Sequence, residues 1–223
     1  MNEHFENIEI LYDDEYLIAV NKPEGLASIS ESDVKIDTLH SILQDKFKQK
    51  LFIVHRLDKE VSGIILFAKN SKTHKFLNNQ FADRRVKKKY TALVHGIVKK
   101  DFDKISKPVR EFGSGRMGID EKQGKASSTD YKVVERFQNF TLLELTPSTG
   151  RRHQLRVHLY AIGHPIVGDV RYGDKKLQTK YLRLMLHAKS LEFESTNGEI
   201  VKIEAGDSIS FNDSLEKIVK YSE

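Results

Sequence analysis

The sequence predicts an α+β fold with a mixed, largely antiparallel sheet flanked by helices. Three observations carry this expectation. Short apolar runs of strand type outnumber stretches with helical spacing, most come as adjacent pairs, and one pair flanks Asn197-Gly198, the strongest short hairpin signal in the chain. With 223 residues and 39% hydrophobic content the chain can fill a real core, so 1–223 reads as a single domain.

Taken in order, "YLIAV" (16–20) is a strand closed by the turn Lys22-Pro23-Glu24-Gly25, where Pro fixes the backbone and Gly frees it. Asp37 or Thr38 then caps a helix whose apolar positions Leu39, Ile42, Leu43 and Phe47 follow three-four spacing, ending before Leu51. "VHRLDKEVSG" (54–63) is a loop that enters a buried strand, "GIILFAK" (63–69), too short and too β-branched for a helix. Ser71 offers a cap for a helix through about Asp83, with Phe76, Leu77 and Phe81 on one side. "KYTALVHGIV" (89–98) returns as a strand.

Residues 101–125 hold Pro108 and glycines 113, 115, 118 and 124 among mixed charges without a period, and are expected to form an irregular, mobile excursion. "STDYKVVERF" and "FTLLELTP", joined near Gln138-Asn139, read as an antiparallel pair. Ser148 or Thr149 caps a helix through Ile162 that Gly163 and Pro165 stop. "LMLHAKSLEFES" and "EIVKIEA" are the arms about Asn197-Gly198, and a last helix runs from about Asp213 to Tyr221. There is no internal repeat, low-complexity tract or clear linker.

Composition narrows the chemistry. The absence of cysteine excludes disulfides, thiolate metal sites and cysteine nucleophiles. The opening "MNEHFENIEI" lacks a basic start followed by an apolar stretch, and no run of about 18 apolar residues occurs, so a soluble, cytoplasmic chain with no membrane partner is expected. Lys and Arg number 37 against 32 acidic residues, a surplus that permits a polyanionic partner without demanding one. The basic residues gather in "RRVKKKY" (84–90), "GRRHQLRVH" (150–158) and "RYGDKKLQTKYLR" (171–183), with Tyr90, Tyr172 and Tyr181 interleaved, a pattern that favours nucleic acid over plain solvated faces.

On the expected helix from 149, Arg152 and Arg156 share a face while Leu155, Leu159 and Ile162 form an apolar stripe. His153, His158 and His164 do not make a metal site: the first two stand about 140° apart around a helix, and no HExxH occurs. Neither GxxxxGK[ST], nor GxGxxG between strand and helix, nor GxSxG is present, which removes the usual evidence for nucleotide cofactors and serine nucleophiles. A carboxylate among arginines remains: Asp58, two residues after Arg56. From residue types alone it is a turn residue, a surface charge or a reactive group.

"HRLDKEVSG" resembles the signature of the RluA family of pseudouridine synthases, in which the Asp of H-R-L-D is catalytic. "NKPEGLAS" (21–28) is similar to the family's K-P-x-G motif, and "KKKYTALVHG" (87–96) to its K-x-Y motif. "TGRRHQLRVHLYAIGHPIVGDVRYG" (149–173) is similar to its long third motif, and "LMLHAKSLEF" (184–193) to the L-H-A segment that follows. The motifs keep one order over nearly the whole chain. Val61 stands where the family usually has Thr, and no room precedes residue 10 for the small RNA-binding domain that many members carry, so a single catalytic domain is expected.

The resemblance implies the pseudouridine synthase catalytic fold and isomerisation of uridine in ribosomal or transfer RNA, without cofactor or metal, by a monomer. The uracil must first leave its stack. Arg56 would displace and replace the flipped nucleotide. Asp58 would act as nucleophile at sugar or base, or as the base that removes a ribose proton. Arg156 would pair with the catalytic carboxylate and keep it ionised, with Arg151 the second candidate for that role. Tyr90 would stack on the uracil and remove the proton from carbon 5, and Leu186 would give an apolar contact to the base. His55, Arg151 and His153, which lie within the motifs, join Arg56 and Leu186 as substrate-binding positions.

A glycoside hydrolase normally needs two carboxylates across the scissile bond, which this pattern disfavours. The rival from another class is a noncatalytic structured-RNA-binding protein that uses the basic clusters for phosphate and the tyrosines for stacking.

Overall fold

The apolar runs "LIAV" and "GIILFA" pair at the centre of the first of two units into which the chain divides, Met1–Lys88 with Ala188–Ser208 and Lys89–His187 with Ile209–Glu223. The computed structural model describes residues 8–30, 37–206 and 208–220. The fold is α+β, and the strand pairs within each unit are antiparallel.

In the first unit, β1 (Glu9–Asp13) pairs with β2 (Leu17–Lys22), and β2 with β4 (Ser62–Ala68), which also takes the short β3 (Phe52–Ile53). Every residue of β4 is buried, as expected of a continuous apolar run. Helix α1 (Leu39–Phe47) starts at Thr38, whose hydroxyl accepts the Ser41 N–H while Ser41 Oγ accepts the Thr38 N–H, and it buries Leu39 and Leu43. Helix α2 (Ser71–Ala82) is capped by Asn70, not Ser71. Asn70 is extended and its Oδ1 accepts the Thr73 N–H at 2.9 Å, so Ser71 is already the first helical residue.

Strand β5 (Lys87–His95) leads into the second unit and stops at Gly96, where φ turns to +79°, short of the expected residue 98. Contrary to the expected irregular excursion, residues 101–125 contain β6 (Phe102–Ser106) and a small hairpin, β7 (Val109–Glu111) with β8 (Met117–Ile119). Strands β9 (Ser128–Arg136) and β10 (Phe140–Pro147) form the expected pair; β10 also pairs with β5, and β9 with β6. Helix α3 spans only Gln154–Ala161, and the single-turn α4 covers Lys175–Gln178.

The chain then forms β11 (Leu186–Glu194) and β12 (Ile200–Glu204), paired about Gly198, which takes the expected left-handed φ of +86°. Helix α5 (Ile209–Lys220) begins four residues before the expected Asp213, because the fully buried Phe211 draws its first turn inward, against the guanidinium of Arg183. Its expected end, Tyr221, lies outside the described residues. Among the described residues, no helix is long and apolar enough to cross a membrane.

Candidate active site

Asp58 is partly exposed on a loop whose backbone is fixed on both sides of it. Upstream, Ser28 Oγ donates to the Leu57 carbonyl at 2.7 Å and accepts the Leu57 N–H at 3.2 Å. Downstream, the Lys59 carbonyl accepts from Lys22 Nζ at 3.1 Å and from the Gly25 N–H at 2.9 Å, while Val61 N–H donates to the Asp58 carbonyl. Lys22 is fully buried, and its ammonium also donates to the carbonyls of Pro23 and Leu26 at 2.9 and 2.8 Å. One interior cation thus ties the turn at 23–26 to the Asp58 loop. Leu57 and Val61 point into the core while Arg56 is exposed. The result is a carboxylate on a prepositioned backbone, two residues after an exposed arginine.

His55 is built into the same loop by different means. Its Nε2 accepts the Leu66 N–H at 3.0 Å, and its ring stacks on Phe81 with centroids 4.8 Å apart. Burial, aided by the nearby charge of Lys88, pushes its pKa down to about 3, so the imidazole is neutral with its proton on Nδ1. Burial likewise lowers the Lys88 ammonium.

In the second unit, Tyr90 is half-buried on β5 opposite Leu145, and Leu145 stands opposite Tyr131 on β9, so the three form one cross-strand row on one face. The segment after β10 differs from the sequence expectation. Thr149 does not cap a helix: its hydroxyl donates to Gln154 Oε1 at 2.6 Å and accepts the Ser128 N–H. His153 takes a left-handed conformation at φ +52°, which a helix cannot pass through, and α3 therefore starts at Gln154. Arg152 lies outside the helix and does not share a face with Arg156; it pairs with Glu111 at 2.8 Å. Gln154 Nε2 donates to the Ser128 carbonyl and Thr129 Oγ1, and His158 bonds Thr129 Oγ1 and the Lys107 carbonyl, locking α3 onto β9.

Arg156 is 3% exposed and forms a two-pronged ion pair, Nε and Nη2 to Asp169 at 2.8 and 2.9 Å. Asp169 Oδ1 also accepts the backbone N–H groups of Arg171 and Tyr172. Tyr172 carries the next link: its hydroxyl accepts the Met117 N–H and donates to His153 Nδ1 at 2.7 Å, with Arg156 and Arg116 over its ring at 5.3 and 5.4 Å. Burial raises the pKa of Tyr172, which keeps the hydroxyl a donor. The β7–β8 hairpin is held here through Val109 and Met117, packed on Val157 and Tyr172. Arg151 differs from Arg156: its Nε is buried and makes no hydrogen bond. Leu186, 3% exposed, begins β11.

The basic clusters are partly spent on structure. Lys87 pairs with Glu192, Lys89 with Glu144 and Arg85 with Glu194. Arg183 is 7% exposed and donates to Ser210. Among the described residues, sequence reasoning missed Lys22, Ser28, Asp169 and Tyr172. The one local hint was a lysine closing an apolar strand just before Pro23; Asp169 stood unremarked inside "GDVRYG", and Tyr172 beside it was read only as an aromatic of a basic cluster.

The antiparallel α+β fold belongs to a known class: the structure resembles human RNA pseudouridylate synthase domain containing 1 with a TM-score of 0.80 and 32% identity, covering 97% of this chain and 94% of that one. A family model described as RNA pseudouridylate synthase matches residues 16–161, and the chain belongs to this family. Ribosomal large subunit pseudouridine synthase C of Buchnera aphidicola subsp. Schizaphis graminum is 37% identical over 194 residues, 82% of this chain and 62% of the relative. A Bacillus subtilis protein named RNA pseudouridine synthase YlyB is 36% identical over 209 residues, 89% of this chain and 69% of that protein. The chain thus spans less than two thirds of the first of these curated relatives. The RluA-type motifs read from the sequence are consistent with these matches.

Proposed function

We propose that this chain is an RNA pseudouridine synthase that isomerises specific uridines after flipping them from the stack, with Asp58 as the reacting carboxylate. The observation that carries the reading is the loop of H-R-L-D itself, clamped before Asp58 by Ser28 and after it by Lys22 and Gly25. The names of the curated relatives favour ribosomal large-subunit RNA as substrate, with transfer RNA the second candidate.

The glycosidic bond breaks, the uracil turns, and it rejoins the ribose through carbon 5, with no net change of redox state. An ionised Asp58 serves as nucleophile or as base in this sequence. Exposed Arg56 takes the place of the flipped nucleotide, and neutral His55 orients the loop that carries both. Tyr90 stacks on the base and takes the carbon-5 proton, Leu186 gives an apolar contact, and His153, fixed by Tyr172, serves the substrate. The arginine that keeps the carboxylate ionised comes from 150–158. By the resemblance Arg156, held in place by its two-pronged pair with Asp169, is the first candidate for that role, and Arg151, whose buried Nε makes no hydrogen bond, is the second. Both units serve one catalytic domain, acting as a monomer in the cytoplasm without cofactor or metal.

The test is conversion: purified protein, incubated with unmodified ribosomal and transfer RNA transcripts and no added metal or nucleotide, should yield pseudouridine by nucleoside mass spectrometry. RNA that is bound and returned unchanged would instead identify the noncatalytic RNA-binding protein.

A further inference from the structure

A cleft of ≈ 630 Å³ in the second unit is lined by none of the proposed site residues, although Ile162 and His164 of its wall belong to the 149–173 motif. Its rim is the stretch "VKKDFDKISK", a basic run that includes the sheet-edge strand β6. Lys99, Lys100, Lys104 and Lys107 line it, against Asp103 as the one lining carboxylate. Lys100 is paired to Asp103 at 2.6 Å, but Lys104 and Lys107 reach carboxylates only at 3.9 and 4.0 Å, and Lys99 and Lys104 are exposed. The cleft therefore carries a net positive charge that its own walls leave largely uncompensated.

The rest of the lining is mostly apolar, Ile97, Val98, Ile105, Ile162 and the largely buried Tyr131, with Ser106 and His164 beside them. The rim is built, not loose. Arg136 donates to the carbonyls of Val98 and Lys99 and to the Asp101 carboxylate, Val98 N–H is held by Thr141 Oγ1, and His158 bonds the Lys107 carbonyl. Ile97 is 41% exposed at its mouth.

Building on the proposed RNA substrate, we infer that this cleft is a second RNA contact, which takes a nucleotide of the substrate strand that is not the one modified. The lysines meet its flanking phosphates, and the Ile97, Ile162 and Tyr131 wall takes its base. The volume suits one nucleotide. Lysines spaced along an open sheet edge are point charges that follow a backbone, whereas a small free anion calls for a converging fork of buried donors, which this lining lacks.

The experiment uses an in vitro transcript of Bacillus subtilis large-subunit ribosomal RNA carrying 4-thiouridine, crosslinked to the full chain by near-ultraviolet light, with adducts mapped by peptide mass spectrometry. Adducts are expected on peptides that contain residues 97–107 or Tyr131. A companion variant, Lys99→Ala with Lys104→Ala and Lys107→Ala, should lose those adducts and bind the same RNA about ten-fold more weakly at moderate salt. Its plot of log affinity against log salt should be shallower by about 2. These side chains are on the surface, so its thermal melt should match the wild type. Adducts confined to other peptides, or an unchanged salt slope, would overturn the second contact and leave the proposed function standing. No adduct anywhere would overturn both.

Discussion

Three carbonyls converge on the ammonium of Lys22, and one of them, Lys59 O, belongs to the residue that follows Asp58. Lys22→Met keeps the length and the apolar stem but strands those acceptors, so it should cost about 2–4 kcal/mol and reduce turnover more than RNA affinity. Denaturant unfolding and single-turnover rates check both halves. His55 gives a pH prediction. Its folded pKa of about 3 lies below the ordinary histidine value of 6.5, so between them the unfolded chain binds a proton that the folded one refuses. Stability from this group is complete above pH 6.5 and declines as pH falls toward 3. Melting temperatures of His55→Gln should fall less steeply over that window than those of the wild type. In sequence, the reactive candidates were legible because motif and residue type announce them. Lys22 and Asp169 were not, because what matters in them is burial and a partner far along the chain.

Gly63 shows why strand β4 can begin where it does. Its φ is +113°, and an added Cβ would sit 2.2 Å from the Ala188 carbonyl oxygen on β11, which is backbone and has little room to yield. Gly63→Ala should therefore destabilise by about 3 kcal/mol or more, read as a drop in urea midpoint at constant slope. Elements with a strong local period were legible in the sequence: α1, α2, β4, the β9–β10 pair and the Asn197-Gly198 hairpin all formed. The β7–β8 hairpin was hidden because each of its strands is three residues long and its order comes from tertiary contacts with Val157 and Tyr172. The start of α3 was misplaced by five residues, since the threonine that resembled a cap is used by Gln154 and His153 breaks the helix. Local propensity had no access to either fact.

For the whole molecule, each ion pair within the units consumes one charge of either sign, so the formal surplus of +5 is left for a partner. RNA affinity should fall as salt rises, through the exposed members of the basic clusters and not through buried Arg156 or Arg183. A flat salt titration would mean that these clusters do not meet phosphate. Conversion of uridine into pseudouridine through Asp58 has a direct readout. Tritium released from carbon 5 of labelled uridine in ribosomal RNA is measured for the wild type and for Asp58→Asn, in parallel with RNA binding and thermal melts. The amide keeps the shape and a hydrogen-bond acceptor while removing the charge. The wild type should release tritium briskly, and the variant at a rate lower by roughly several powers of ten, with RNA affinity changed by only about 1–2 kcal/mol and folding intact. Near-wild-type tritium release by a folded, RNA-binding Asp58→Asn would contradict catalysis through Asp58.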